Sequence, residues 1–349
     1  MQKEKMALLC SGAFLPAMPL VLNERRQFDP QGQRRLVRYY LSAGADGIAA
    51  AVHTTQFEIR QSPHDLLEPV LRTVSQEMDA WASRHPRPLL KIAGACGPTQ
   101  QALAEARLAK ALGYDAVLLS PGGLAGLTPE DLLARTRAVA EVLPVIGFYL
   151  QPAVGGRVFR YDYWEQLVQI PNVVAVKCAA FDRYLTGDVA RAIALTGSSA
   201  ALYTGNDDHI IGDLLTVYQF EHNGQTRTVR TVGGLLGHWA VWTHTAVDLF
   251  HRARAAARSG VIDAQWMTLA AQITDANSAF FDTQNGFRGC IAGIHEVLRR
   301  QGLMPGIWCL DPQETLSPGQ AEQIDRVYTM YPHLCDDDFV REFLASPEG

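Results

Sequence analysis

The sequence predicts an α/β protein, a (β/α)8 (TIM) barrel with a small C-terminal helical domain. Three observations carry the prediction. Eight short apolar runs alternate with longer amphipathic stretches between residues 7 and 241, as strands and helices of a closed parallel sheet require. No GxGxxG or Walker loop follows any of the runs, which disfavours a doubly wound sheet with its switch-point phosphate site. Beyond Thr243 the strand-like runs stop and only helical patterns follow.

The runs are Ala7–Cys10, Gly47–Val52, Leu89–Ala95, Ala116–Leu119, Val145–Leu150, Val173–Val176, Ala200–Tyr203 and Leu235–Val241. Several lie in unbroken apolar stretches, as expected of strands covered on both faces. Between them, Asp29-Pro30 opens a helix over 33–41 that Gly44 closes, and Pro98-Thr99 opens one over 100–112 that Gly113 closes. Thr128-Pro129-Glu130-Asp131 opens a third that runs to Val142, with acidic residues where the helix dipole favours them. The polar segment Glu221–Arg230 is longer than the usual connection and reads as a surface excursion. Helical patterns follow over 245–258, 263–281, 287–301, 318–330 and 336–344. A barrel takes about 250 residues. The boundary therefore falls between a barrel over 1–260 and a helical domain over 261–349.

With 48% hydrophobic and 19% charged residues, the composition is that of an ordinary soluble domain. A formal net charge of -5 gives no basic face for nucleic acid or an acidic membrane. Six cysteines at 10, 96, 178, 290, 309 and 335 form no CxxC pair, which argues against zinc and disulfides and fits a reducing compartment. Pro16 and Pro19 interrupt the apolar N-terminal segment, which reads as a strand running into a loop and not as a signal peptide. No apolar run approaches the ~18 residues of a membrane span. The expected location is the cytoplasm.

Only five of the 31 basic residues are lysines: Lys3, Lys5, Lys91, Lys110 and Lys177. Lys177 ends the run Val173-Val174-Ala175-Val176, at the face where a barrel of this kind does its chemistry. Lys91 begins its strand, Lys110 lies in a helix, and Lys3 and Lys5 sit at the N-terminal tip. A lysine desolvated at a strand end has a lowered pKa, and its neutral amine can attack a ketone to give an iminium ion. The competing reading is a structural ion pair with a carboxylate such as Asp207.

Several segments together resemble the dihydrodipicolinate synthase and N-acetylneuraminate lyase family of class I aldolases. They are Ala43–Ile48 with His53-Thr54-Thr55, Ala93-Gly94 with Thr99, Ala111–Val117, Leu143–Tyr149 with Pro152, and Ile170–Lys177. Gly205-Asn206-Asp207-Asp208 and the tail segments 287–303 and 316–327 extend the likeness over nearly the whole chain. The resemblance implies that Lys177 forms the Schiff base, Tyr149 shuttles protons and Thr55 relays them. It also implies that Thr54 and Thr55 hold the substrate carboxylate, and that the chain assembles as a homodimer or homotetramer. The separation of 28 residues from Tyr149 to Lys177 suits the family.

The departures are specific. The family's G-T-T-G-E is here His53-Thr54-Thr55-Gln56-Phe57. Val154 stands where dihydrodipicolinate synthases carry an arginine, and the loop Ser120–Leu124 lacks the tyrosine they lend to a neighbouring subunit. That synthase's own reaction is therefore not expected. His53, Gln151, Asn206, Asp207 and His238 are candidate substrate-binding residues, with Trp239, Trp242 and Arg157 near them in the pattern. The expected function is a lyase, aldolase or hydro-lyase, acting on a small-molecule pyruvate-like 2-oxo acid. Such an enzyme needs no metal or organic cofactor, because the lysine is itself the electron sink. The alternatives are a catalytically inactive barrel that binds a 2-oxo acid or sugar acid, and a metal-dependent aldolase, for which the histidines are too scattered.

Overall fold

The computed structural model describes residues 1–349. Helix α1 (Lys3–Ser11) precedes β1 (Phe14–Pro16), α2 (Pro30–Ser42), β2 (Gly47–Ala50), α3 (Leu67–Arg84) and β3 (Leu90–Ala95). Then come α4 (Thr99–Ala111), β4 (Ala116–Leu119), α5 (Pro129–Ala140), β5 (Val145–Leu150), α6 (Tyr161–Leu167) and β6 (Val173–Ala179). The barrel continues with α7 (Arg183–Thr196), β7 (Ala201–Thr204), α8 (Ile210–Leu215), β8 (Val217–His222), β9 (Gln225–Leu236) and α9 (Thr243–Ser259). Four more helices end the chain: α10 (Gln265–Phe280), α11 (Cys290–Arg300), α12 (Gln320–Met330) and α13 (Asp337–Ala345).

The sheet order is β1-β9-β7-β6-β5-β4-β3-β2, with a parallel bridge Ala17↔Ala49 joining the segment after β1 to β2. This is the predicted (β/α)8 barrel, and a helical C-terminal region follows it. Strands β2 to β7 are buried along almost their whole length, as a sheet covered on both faces demands.

By packing, the chain forms two compact units. One comprises residues 1–13, 90–235 and 253–262; its parallel strands β3 to β7 and β9 carry Lys177. The other comprises residues 14–89, 236–252 and 263–349 and holds β1, β2 and the C-terminal helices.

The helix-end signals act as their chemistry predicts. Asp29 accepts hydrogen bonds from the N–H groups of Gln31 and Gly32, with Pro30 in the first turn of α2. Thr128 and Asp131 bond each other's backbone N–H groups in a capping box at the start of α5.

Three expectations are corrected. The run Ala7–Cys10 is helical, because Met6-Ala7-Leu8-Leu9 are strong helix formers with no β-branched residue. The first strand starts only after Gly12, where a Cβ would lie 1.9 Å from the Val232 carbonyl oxygen. The segment Glu221–Arg230 is no loose excursion but most of an antiparallel hairpin, β8 with β9. Its turn is Asn223-Gly224, both with positive φ, the conformation that matches the twist of a two-residue hairpin. The eighth barrel strand therefore ends at Leu236, and His238–Ala240 form a 3-10 turn.

Candidate active site

In the first unit the site is built on β6. Lys177 pairs across the sheet with Phe148 of β5 and Tyr203 of β7, and only 8% of it is exposed. Its Nζ lies 4.5 Å from the centroid of the Phe148 ring. Burial disfavours the ammonium and lowers the pKa to about 8; the charge of Asp207 pulls the other way and does not offset it. Gly205 gives the stem its room. A Cβ there would lie 2.4 Å from Lys177 Cε and 2.9 Å from the Ala179 Cβ.

Tyr149 is not on that face. Val145 and Val173 pair at the same 28-residue separation as Tyr149 and Lys177, but the register then shifts and Ile146 pairs with Ala175. The extra residue, Val174, bulges out of β6, so Phe148 meets Lys177 and Tyr149 meets Cys178. A one-residue slip turns each side chain to the opposite face. Gly147 confirms the facing, since a Cβ there would meet Leu167 of α6 at 2.8 Å. The Tyr149 ring packs on Trp164 and Phe159 at 4.8 and 5.9 Å between centroids. Its hydroxyl accepts from the Phe159 N–H (3.2 Å) and donates to the Phe159 carbonyl (3.4 Å), and burial pushes its pKa up to about 12.

Tyr149→Phe is therefore expected to cost about 1–3 kcal/mol by leaving buried backbone groups unpartnered. It should leave the rate of adduct formation at Lys177 within a few-fold. Urea unfolding and reductive trapping measure the two effects; a hundred-fold loss of trapping would restore the phenol to the site.

Asn206 is fully buried and committed to the framework. Its Oδ1 accepts from the Phe181 N–H, and its Nδ2 donates to Asp213 and Thr186. Asp207, the next residue, is the one whose charge reaches Lys177. The backbone carbonyl of Gln151 accepts from Val154 and Gly156, holding the turn after β5. Arg157 donates to the Leu127 carbonyl at 2.7 Å and lies over the Phe159 ring.

In the second unit, His53, Thr54 and Thr55 form a 3-10 turn after β2. Both threonine hydroxyls donate to the Met18 carbonyl, Thr55 at 2.6 Å and Thr54 at 3.2 Å. Gln56, at φ 67°, accepts from the Leu310 N–H and ties this turn to the chain after α11. His53 has its ring near Phe57. His238 is buried against Phe280 and hydrogen-bonded to Asn277, and burial lowers its pKa to about 4, so it is a neutral packing residue at pH 7. Trp239 stacks on Phe14, and Trp242 packs on Phe280 and Tyr328; both are core residues.

The structure also brings Phe148 and Gly205, to which sequence reasoning gave no role, against Lys177; a bulge one residue long leaves no sequence pattern that would reveal Phe148. No group of three or more His, Cys, Asp or Glu side chains is placed to hold a metal ion, and no helix is long and apolar enough to cross a membrane.

Residues 11–217, from the last residue of α1 to the first of β8 and including Lys177, match the dihydrodipicolinate synthetase family. The chain belongs to that family. It is a divergent member. It is 26% identical over 204 residues to N-acetylneuraminate lyase of Citrobacter koseri, a match covering 58% of this chain and 64% of that one, less than two thirds of the relative's length. N-acetylneuraminate lyase 2 of Escherichia coli O6:H1 is 22% identical over 315 residues, 89% of this chain and 90% of the relative. Among solved structures, dihydrodipicolinate synthase of Acinetobacter baumannii complexed with pyruvate superposes with a TM-score of 0.72 at 20% identity, covering 91% of this chain and 98% of that one. A pyruvate complex of a prophage protein of the dihydrodipicolinic acid synthase family from E. coli K12 gives 0.73 at 17% identity, with coverages of 93% and 98%. These likenesses place the fold of this member of the dihydrodipicolinate synthetase family.

Proposed function

We propose that this family member is a Schiff-base lyase acting on a pyruvate-like 2-oxo acid through Lys177. One observation carries the reading: a buried amine near the C-terminal end of β6, in space that Gly205 leaves open, where burial lowers its pKa. The neutral amine adds to the ketone carbon, and water leaves with the carbonyl oxygen. The resulting iminium draws electrons from the neighbouring carbon, so an adjacent C–C or C–O bond can break or form. The pyruvate held by two proteins of the same fold supports pyruvate as the first compound to try. The test is incubation with pyruvate and borohydride followed by intact mass; absence of an adduct at saturating pyruvate would overturn the reading.

The trapping rate should rise with pH and level off above about 8, because the ordinary lysine pKa of 10.5 has been lowered by burial and only the neutral amine reacts. A midpoint at the ordinary value would mean that the amine is solvated during the reaction.

A second reading, a barrel that binds a 2-oxo acid without turning it over, is favoured by Tyr149 facing α6. Adduct formation without release of product from any 2-oxo acid in a substrate screen would select it. In either reading we propose a homodimer or homotetramer; a monomer mass by light scattering at micromolar concentration would reject that assembly.

A further inference from the structure

We infer that the Phe148 ring is the π face that holds the positive charge of the Lys177 iminium, an inference that rests on the Schiff-base reading. The geometry is that of a cation–π contact: Nζ lies 4.5 Å from the ring centroid, inside the ~6 Å limit, with both side chains almost wholly buried. The position follows from the β6 bulge, which turns Phe148 onto the face of Lys177 and takes Tyr149 off it.

The chemistry gives such a ring a use. The amine and the ketone are both neutral. Their condensation takes up one proton, releases one water and leaves a cation at nitrogen. A group that attracts only the cation stabilises the intermediate over the bound reactants, which is the condition for acceleration. In a dry site an attraction of this kind is large, because no water competes for the charge. Asp207 supplies negative charge in the same region but is a base that can take a proton. The aromatic face adds attraction without any such basicity, so the iminium keeps its electron-withdrawing charge.

The test replaces Phe148 by 4-fluoro-, 3,5-difluoro- and pentafluorophenylalanine, which keep the ring's shape while draining its face, with Phe148→Leu as a fourth variant. Two quantities are read: the pyruvate concentration giving half-maximal borohydride trapping, and the pH midpoint of the trapping rate. The expected result, read above the pH midpoint where the free enzyme holds a neutral amine, is a graded rise in half-saturation, about tenfold at pentafluoro; the midpoint itself moves down because the ammonium loses the same contact. Phe148→Leu should match the pentafluoro variant in both. A flat fluorine series in a wild type that traps pyruvate overturns this inference and leaves the Schiff base standing, even where Phe148→Leu fails to fold. A wild type that never traps pyruvate overturns the Schiff base itself.

Discussion

Lys177→Ala abolishes the borohydride-trapped pyruvate adduct and leaves a cooperatively folded barrel. No other lysine has the place: Lys5 is paired with Asp115, and Lys91 opens β3. Lys177→Met should also gain stability over the wild type below about pH 8. Folding holds the Lys177 pKa near 8 against 10.5, so below about pH 8 the wild type carries a buried charge in the folded state. Between about 8 and 10.5 the folded chain has already released its proton while the unfolded chain keeps it, and wild-type stability rises with pH. The melting temperature of Lys177→Met, which keeps most of the stem's volume, should exceed that of wild type near pH 7, and the gap should close toward pH 10.5. A residual adduct in Lys177→Ala would move the chemistry elsewhere; a gap that widens with pH would contradict the lowered pKa.

Gly205→Ala should lower the trapping rate by about 10²-fold, the usual consequence of a 1 Å misplacement at a reacting group. The added methyl meets Lys177 Cε at 2.4 Å and Ala179 Cβ at 2.9 Å, so the stem must leave its path or the strand end must shift. Gly187→Ala is the control, since a Cβ there meets nothing within 4 Å. A Gly205→Ala variant that traps pyruvate at the wild-type rate would show that the lysine reaches its substrate by another route.

The barrel was legible because its signals are local and repeated: apolar runs of strand length alternate with helices, three of which open on Asp-Pro, Pro-Thr or Thr-Pro. The errors fell where two local preferences compete. Ala7–Cys10 is apolar enough for a strand, but its residues prefer a helix. Around Asn223-Gly224 the polar character and length of the segment suggested a surface excursion, although that dipeptide between alternating residues is a hairpin signal. The position of Lys177 could be read from its strand alone. The facing of Tyr149 could not, because it depends on whether β5 and β6 stay in step, and Val174 takes them out of step. Side chains assigned to substrate, such as Asn206 and His238, have types that serve equally as framework, and their partners come from distant segments.

The β8–β9 hairpin has a practical consequence. Its tip, Asn223 to Thr228, is exposed, and β8 and β9 hydrogen-bond each other along the paired residues below it. Exposed tips of this kind are where guest sequences are best tolerated. A reporter domain spliced between Asn223 and Gly224 would lie beyond both strands of the ribbon, with Thr231, the nearest residue of β9 that pairs with β7, seven positions after Gly224. The protein could then be immobilised or imaged through its own side, with neither end of the chain altered.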